Sequence, residues 1–288
     1  MALSAEKPVR SLEPAEVERL VREGAARVLD VRNPDEFEGL GHIPGALLLP
    51  VDLIASAPAT LPPSGLPLVV CCEHGVRSVY AARYLQGAGF ENVFNMAGGM
   101  SCWKGPRDFA KGDGYGMVGP SSWLVGNADL LPRGGRTLDL ACGSGRHALL
   151  LAAAGFNVRA VDRDPSKIAT LRDLASRLGL PLETEVVDLE AGAVDLGDAA
   201  YDLVLGIHYL HRPLFPAMLA ALKAGGILLY ETFTVDQAAR GKPTNPDFLL
   251  MHGELRLLVA PLEVLRERDG TFEGRSVAGV VACKPAGC

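Results

Sequence analysis

The chain has no apolar run near the roughly 20 residues that a membrane-spanning helix needs. Its longest runs, such as Ala148–Phe156, are too short and are broken by glycine. Positive charge is also in short supply. There are 28 Lys and Arg against 34 Asp and Glu, a net charge of −6. Non-specific nucleic-acid binding and docking on an anionic bilayer both need a basic face, so neither partner is expected. The N-terminal segment carries Glu6, Glu13, Glu16 and Glu18 where a secretory leader has its apolar stretch, and the expected location is the cytoplasm. Cysteine is sparse, with six in 288 residues, at 71, 72, 102, 142, 283 and 288. That is too few for a disulfide framework. No CxxC pair or Cys/His cluster has zinc spacing, so no metal site is expected. A cysteine with a chemical task here is a nucleophile.

What is present is a globular composition, 48% hydrophobic and 22% charged. At about 100–200 residues per domain, the length predicts two domains. Residues 1–105 alternate short strands and helices. Val17, Leu20 and Val21 form a helical stripe ended by Gly24. Strands are expected at 27–32, 46–49, 66–72 and 92–96, with helices at 34–40 and 76–87. Residues 106–120 are rich in Gly and Pro and read as a linker. The pattern restarts in 121–288. Strands are expected at 136–140, 157–161, 182–187, 201–207 and 227–232, and helices at 146–154, 166–178 and 213–224. Leu262–Arg268 and Ser276–Cys283 read as an antiparallel hairpin turning at Asp269-Gly270. Alternating β and α units imply parallel sheets with helices on their faces.

The first candidate site is Cys72-Glu73-His74-Gly75-Val76-Arg77-Ser78, between a strand and a helix. Ligands of open parallel sheets sit beyond the carboxyl ends of the strands. A thiol there gains from the helix N-terminus and from inward N–H groups, and Arg77 offers a fork for an oxyanion. Asp30 and Arg32 are expected to tie the scaffold as an ion pair, and Cys71 to be core. The loop resembles the Cys-x-x-Gly-x-Arg-Ser loop of rhodanese sulfurtransferases. Leu29-Asp-Val-Arg32 with Pro34–Phe37 and Gly41–Ala46, and Asn95–Met100 with Trp103, resemble that family's first and last signatures. The resemblance implies a persulfide carried on Cys72, with Arg77 also in the catalytic set and Gly75 and Ser78 near the substrate. The six-residue loop from Cys72 to Arg77 favours sulfur over phosphate. Glu73 departs from members with a basic residue at that place, and a carboxylate there opposes an anionic donor such as thiosulfate.

The second candidate site is Asp139-Leu-Ala-Cys-Gly143-Ser-Gly145, which ends a strand and opens a helix. Asp162 ends the next strand, where an acidic residue accepts ribose hydroxyls. The ligand is therefore expected to contain adenosine. Gly143–Ala148 also fits a dinucleotide pattern, which leaves NAD open. Asp139 would repel a pyrophosphate but suits an amino group, and the C-terminal hairpin is foreign to the dinucleotide fold. Both features resemble class I S-adenosylmethionine-dependent methyltransferases, over about residues 121–284. Asp139–Ala148 with Tyr230-Glu-Thr232 is most similar to the tellurite-resistance type. The resemblance implies S-adenosylmethionine as cofactor. Asp139 would lie near its amino group, Gly143 and Gly145 along methionine and ribose, Asp162 on the ribose and Asp188 at the adenine. Ala141 stands where the commonest motif has its first glycine.

The methyl acceptor is expected near His208, Tyr209, His211 and Arg212, with Arg212 able to hold an anion. Loop 233–247, with Arg240, Lys242 and Asn245, is a candidate lid. No residue is a convincing base, which suits a soft thiolate-type acceptor. The combined expectation is an α/β protein of two domains, one rhodanese-like and one a Rossmann-like methyltransferase sheet with an antiparallel hairpin. It would act on a small-molecule methyl acceptor and a sulfane-sulfur donor. The alternatives are a methyltransferase whose first domain is a persulfide sensor or docking module without turnover, a pair of binding modules, and an NAD enzyme.

Overall fold

The structure, a computed structural model, describes residues 8–61, 65–109, 119–192 and 194–286. The chain divides into two compact units, Met1–Gly119 and Pro120–Cys288.

The first unit runs β1 (Arg10–Leu12), α1 (Pro14–Arg22), β2 (Arg27–Asp30), α2 (Pro34–Gly39), β3 (Leu47–Leu48), α3 (Ala57–Thr60), β4 (Leu68–Cys71), α4 (Val76–Gly87) and β5 (Val93–Met96). Its sheet has the order β1-β5-β4-β2-β3, with every pairing parallel. Successive strand residues point to opposite faces. Val69 and Cys71 therefore join the core around Phe37, Ile43, Met96 and Trp103, while Val70 and Cys72 join the one around Leu29, Leu49 and Leu85. This alternation separates two adjacent cysteines. β1 and α3 escape the sequence reading because three or four residues carry no periodicity, and β1 exists through its pairing with β5.

The second unit runs α5 (Ser122–Gly126), β6 (Gly135–Leu140), α6 (Arg146–Ala153), β7 (Phe156–Asp162), α7 (Pro165–Leu178), β8 (Leu182–Val186), β9 (Tyr201–Ile207), α8 (Phe215–Ala221), β10 (Leu222–Phe233), α9 (Glu254–Leu258), β11 (Glu263–Phe272) and β12 (Arg275–Cys283). The sheet order is β11-β12-β10-β9-β6-β7-β8. β12 is antiparallel to both neighbours and the other pairs are parallel. The chain leaves β6 toward β7 on one side and returns to β9 on the other, so the loop after β6 opens at the switch point where such sheets bind ligands. α7 shows its punctuation in sequence: the Asp164 carboxylate accepts the Ser166 and Lys167 N–H groups, Pro165 follows, and Gly179 ends the helix at φ +63°.

Three expectations are corrected. The helix expected at 213–224 stops at Ala221, where the Ala199 and Ala200 N–H groups and the Lys284 ammonium take its last carbonyls. The strand expected from 227 already pairs at Leu222 with Tyr201, and its register shifts between Leu222 and Ile227. The hairpin turns at Glu273-Gly274, not at Asp269-Gly270. Both turn residues have positive φ, +50° and +72°, which matches the twist of the flanking strands. Of the linker expected at 106–120, residues 106–109 fold onto the first unit: Asp108 exchanges backbone hydrogen bonds with His42, and Arg107 donates to the Leu40 and Met100 carbonyls. Residues 110–118 lie outside the described residues. Among the described residues no helix is long and apolar enough to cross a membrane.

Candidate functional site

Each unit carries one site beyond the carboxyl end of a central strand. In the first unit, Cys72 directly follows β4, and Gly75 starts α4 at φ +86°. That left-handed turn folds the loop back over the sulfur. Cys72 Sγ, 1% exposed, accepts the Gly75 N–H at 3.1 Å and the Ser78 N–H at 3.4 Å, and lies 3.2 Å from Ser78 Oγ. Three polar groups thus converge on one sulfur. The Gly98-Gly99 turn buttresses the loop from outside. The Met100 and Ser101 N–H groups donate to the Cys72 and Glu73 carbonyls, and a Cβ on Gly99 would stand 2.3 Å from the Cys72 oxygen. Glycine is required there by close approach as well as by its φ of +65°.

The charged residues are placed less simply. Arg32 is fully buried. It forks onto Asp30 at 2.8–3.1 Å and donates to the Gly41 carbonyl and, at 2.9 Å, to Glu73. The Glu73 carboxylate is therefore held against a buried cation, which weakens its objection to an anionic donor. Arg77 forks onto Glu36 at 2.6 and 2.7 Å. That pairing raises the Arg77 pKa and draws Glu36 down to about 2, so the fork expected to hold an oxyanion already holds a carboxylate. Cys71 is buried on the opposite face, where burial pushes its thiol pKa well up. His74 is exposed, with Nδ1 3.3 Å from Ser101 Oγ.

In the second unit, a cavity of about 670 Å³ opens at the β6 end. Ala141, Asp162, Asp188, His208, Phe233 and Phe248 are among its lining residues. Asp162 binds both turns beside it. Oδ2 accepts the Gly143 N–H at 2.8 Å and Oδ1 accepts the Asp164 N–H at 2.9 Å, and each oxygen keeps a lone pair for a hydroxyl. Asp188 is exposed at the cavity and also closes its own turn by accepting the Glu190 N–H at 3.0 Å. Asp139 is 1% exposed and its Oδ2 has no protein partner. Burial pushes its pKa up to about 7, against the Ala148 N–H and the Arg146 charge, which pull it down. Gly143 has φ +57°, and a Cβ on it would meet nothing within 4 Å. Neither Asp139 nor Gly143 is among the cavity residues. The unpartnered Asp139 oxygen lies buried behind the glycine loop, and its chemistry suits an ammonium group.

Two glycine-loop positions take on new meanings. Gly145 serves packing, since its Cβ would stand 2.4 Å from Leu171 of α7, and it is not among the cavity residues. Ala141 has φ +50°, which explains why glycine is favoured at its place. On the acceptor side, His208 and Tyr209 line the cavity, as do Lys242 to Asn245 of the expected lid. His208 also has positive φ, +58°. Its ring stacks on Phe233 at 4.7 Å, and burial with the Arg146, Arg275 and Arg268 charges lowers its pKa to about 4. Arg212 does not serve as an anion holder. It forks onto Glu254 at 2.5 and 3.0 Å and donates to the Asp247 and Leu249 carbonyls, which ties the loop before α9. His211 and Arg240 are not among the cavity residues.

Sequence reasoning missed Arg163, Lys167 and Phe248 of this cavity, and it gave no separate role to Thr232 or to Phe233 at the start of the candidate lid. Arg163 follows Asp162 directly and Lys167 lies in the first turn of α7, and their nearness to Asp162 was the available signal. It also missed a buried hydrogen-bonded chain in this unit. There Ser121 donates its N–H to His147 Nε2 at 3.1 Å and its hydroxyl to Glu231 at 3.2 Å, and Glu231 pairs with Arg268.

One parallel sheet and one mostly parallel sheet, each with a loop beyond the carboxyl end of a central strand, define the chain as a pair of α/β domains. The comparisons name them. A rhodanese-like domain family matches residues 13–106, and the tellurite resistance protein TehB family matches residues 110–226. Thiosulfate sulfurtransferase GlpE of Pseudomonas paraeruginosa is 38% identical over 101 residues, which cover 33% of this chain and 86% of that protein. Hemagglutinin 1 of Eikenella corrodens is 33% identical over 141 residues, and the match spans 46% of each protein, under half of that relative's length. The crystal structure of TehB from Haemophilus influenzae aligns at 22% identity and TM-score 0.49, covering 57% of this chain and 62% of that one. The chain belongs to the rhodanese family through its first domain and continues into a TehB-like methyltransferase domain. The TehB-family match agrees with the expectation of S-adenosylmethionine as the cofactor of that second domain.

Proposed function

We propose that the chain is a bifunctional cytoplasmic enzyme: a sulfurtransferase that carries sulfane sulfur as a persulfide on Cys72, fused to a methyltransferase for a small thiol or chalcogen species. The observation that carries the sulfur half is the convergence of two N–H groups and one hydroxyl on Cys72 Sγ. The two N–H donors, and the hydroxyl once it turns to the sulfur, suit a sulfur that holds negative charge before and after transfer. With thiosulfate as donor, the Cys72 thiolate attacks the outer sulfur, the S–S bond of the donor breaks, and sulfite departs with the bonding pair. The persulfide then passes its terminal sulfur to an acceptor nucleophile. The Arg32–Glu73 pair supports an anionic donor, and the GlpE relatives are named for thiosulfate.

For the methyl half, Asp139 would hold the ammonium of S-adenosylmethionine, Gly143 would give its backbone room, Asp162 would take the ribose hydroxyls and Asp188 would stand at the adenine. The bound group supplies an electrophilic methyl on a sulfonium. The chain's part is to orient it toward the side of the cavity lined by His208, Phe233 and Phe248. A soft nucleophile placed in line there needs little proton transfer. Five described cysteines are free thiols, in keeping with a reducing cytoplasm, and the net charge of −6 supports small molecules over nucleic acid or a membrane as partners.

The experiment is in two arms on the full-length chain. Cys72→Ser is expected to abolish sulfur transfer from thiosulfate to cyanide and Cys71→Ser to keep it; transfer by the Cys72 variant overturns the sulfur half. Asp162→Ala is expected to weaken S-adenosylhomocysteine binding by about 1.5–3 kcal/mol, the worth of a hydrogen bond to a charged group. Unchanged affinity by calorimetry removes that residue from the site. Methyl transfer to small thiols, compared with chalcogen oxyanions, identifies the acceptor.

A further inference from the structure

Ser78 stands between two acceptors with one proton to give. Its Oγ lies 2.7 Å from Asn95 Oδ1 and 3.2 Å from Cys72 Sγ. Asn95 is set in place by the sheet. β1 pairs with β5 so that Ser11 stands opposite Asn95, and Asn95 Nδ2 donates to Ser11 Oγ at 3.0 Å. That bond turns the amide so that its oxygen faces Ser78. Ser78 is 0% and Asn95 4% exposed, so bulk water does not compete for the hydroxyl. A hydroxyl donates once and accepts twice. With its proton on Asn95, Ser78 presents only lone pairs to the sulfur, and the 3.2 Å contact then requires Cys72 S–H as donor.

We propose that Asn95 is a positioning residue that sets the protonation state of Cys72 by competing with its sulfur for the Ser78 hydroxyl proton. In the thiol state the chain of donors runs Cys72 S–H to Ser78 Oγ and Ser78 O–H to Asn95 Oδ1. When the thiol proton leaves to a solvent base, the Ser78 hydroxyl rotates and donates to the thiolate, joining the Gly75 and Ser78 N–H groups. Asn95 Oδ1 gives up its bond in that step. No atom other than the thiol proton is transferred, and nothing is oxidised or reduced. The result is a sulfur whose third donor becomes available only when charge appears on it. The sequence singles out Asn95 only as a member of a loop signature, and nothing in that signature says which way its amide faces.

The inference rests on Cys72 being the reactive sulfur, but its test does not require sulfur transfer. The titratable and charged groups facing the loop are Asp30 from β2 and Arg32 just beyond it, Glu36 from α2, Cys71 from β4, Glu73 and His74 from the loop, and Arg77, Tyr80 and Arg83 from α4. A neutral substitution at 95 alters none of them. The measurement is the rate of Cys72 alkylation by iodoacetamide across pH in the full-length protein, with the adduct located by peptide mass spectrometry. Asn95→Leu frees the Ser78 proton for the sulfur and is expected to speed alkylation about tenfold near neutral pH, the size of one hydrogen bond to a charged group, by moving the pH midpoint down. Ser78→Ala alone is expected to slow it. In the Ser78→Ala background the Leu substitution is expected to do nothing, because the proton it frees is gone. If Asn95→Leu does not fold, Asn95→Ala is measured instead; it removes the same acceptor without adding charge and is expected to speed alkylation only while Ser78 is present. The proposal is overturned if Asn95→Leu slows alkylation or leaves it unchanged, or if either substitution at 95 acts equally with and without Ser78.

Discussion

Residue identity explains function only where a side chain has no better partner inside the protein. Arg77 and Arg212 were both read as forks for anions, and both are taken by carboxylates, Glu36 and Glu254. Asp139 is the opposite case, with one buried oxygen left unpartnered. Its proton affinity gives a signed prediction. The folded chain raises its pKa from 3.8 to about 7, so the stability it contributes is full below about pH 4 and is lost as pH rises through about 7. An ammonium ligand needs the ionised form. S-adenosylhomocysteine affinity should therefore climb as pH passes through neutrality and level off above it. Calorimetry at a series of pH values checks this, and Asp139→Asn should bind weakly with no such climb. Ala141 makes a second point. In the left-handed region a non-glycine residue costs about 1–2 kcal/mol, and glycine gives part of that back through the entropy of the unfolded chain. Ala141→Gly should raise stability by up to about 1 kcal/mol in denaturant unfolding; a loss of stability would show that the methyl group packs usefully.

At the level of elements, the sequence was most legible where punctuation is local. Gly75 and Gly87 bound α4, Asp164, Pro165 and Gly179 bound α7, and β9 runs over the residues that its apolar run marks. It was least legible where a distant group decides. α8 ends early because Lys284 and the 199–200 segment claim its last carbonyls. The hairpin turn is the same lesson. Asp269-Gly270 is a strong local turn signal, yet the Asp269 carboxylate is held by His252 Nδ1 and the Gly253 N–H, and the chain turns four residues later. Gly274→Ala should then cost about 1–2 kcal/mol through its φ of +72°, read as a lowered unfolding midpoint. His252 bridges Asp236 and Asp269 with both ring nitrogens, and these two carboxylates raise its pKa. This contribution is present at acid and neutral pH and fades as pH rises through the raised value.

For the whole molecule, the two units have separate sheets and separate cores, so heat should unfold them in two transitions. A ligand that binds one native domain stabilises that domain by mass action. S-adenosylhomocysteine should move one calorimetric transition upward and leave the other in place, and a single transition shifted as a unit would contradict independent domains. The sequence by itself determined the two-domain plan and the strand-end placement of both loops, and it singled out Cys72 and the acidic residues Asp139 and Asp162 as the candidates there. Those features are written in short windows, where apolar period, glycine and charge act on neighbours along the chain. Only the tertiary structure decided which charges are spent and which are free: Arg32 holding Glu73, Glu36 holding Arg77, Glu254 holding Arg212, and Asn95 turned by Ser11 toward Ser78. These partners lie tens of residues apart in sequence. The competition among them is settled by distance and burial, which no local window contains.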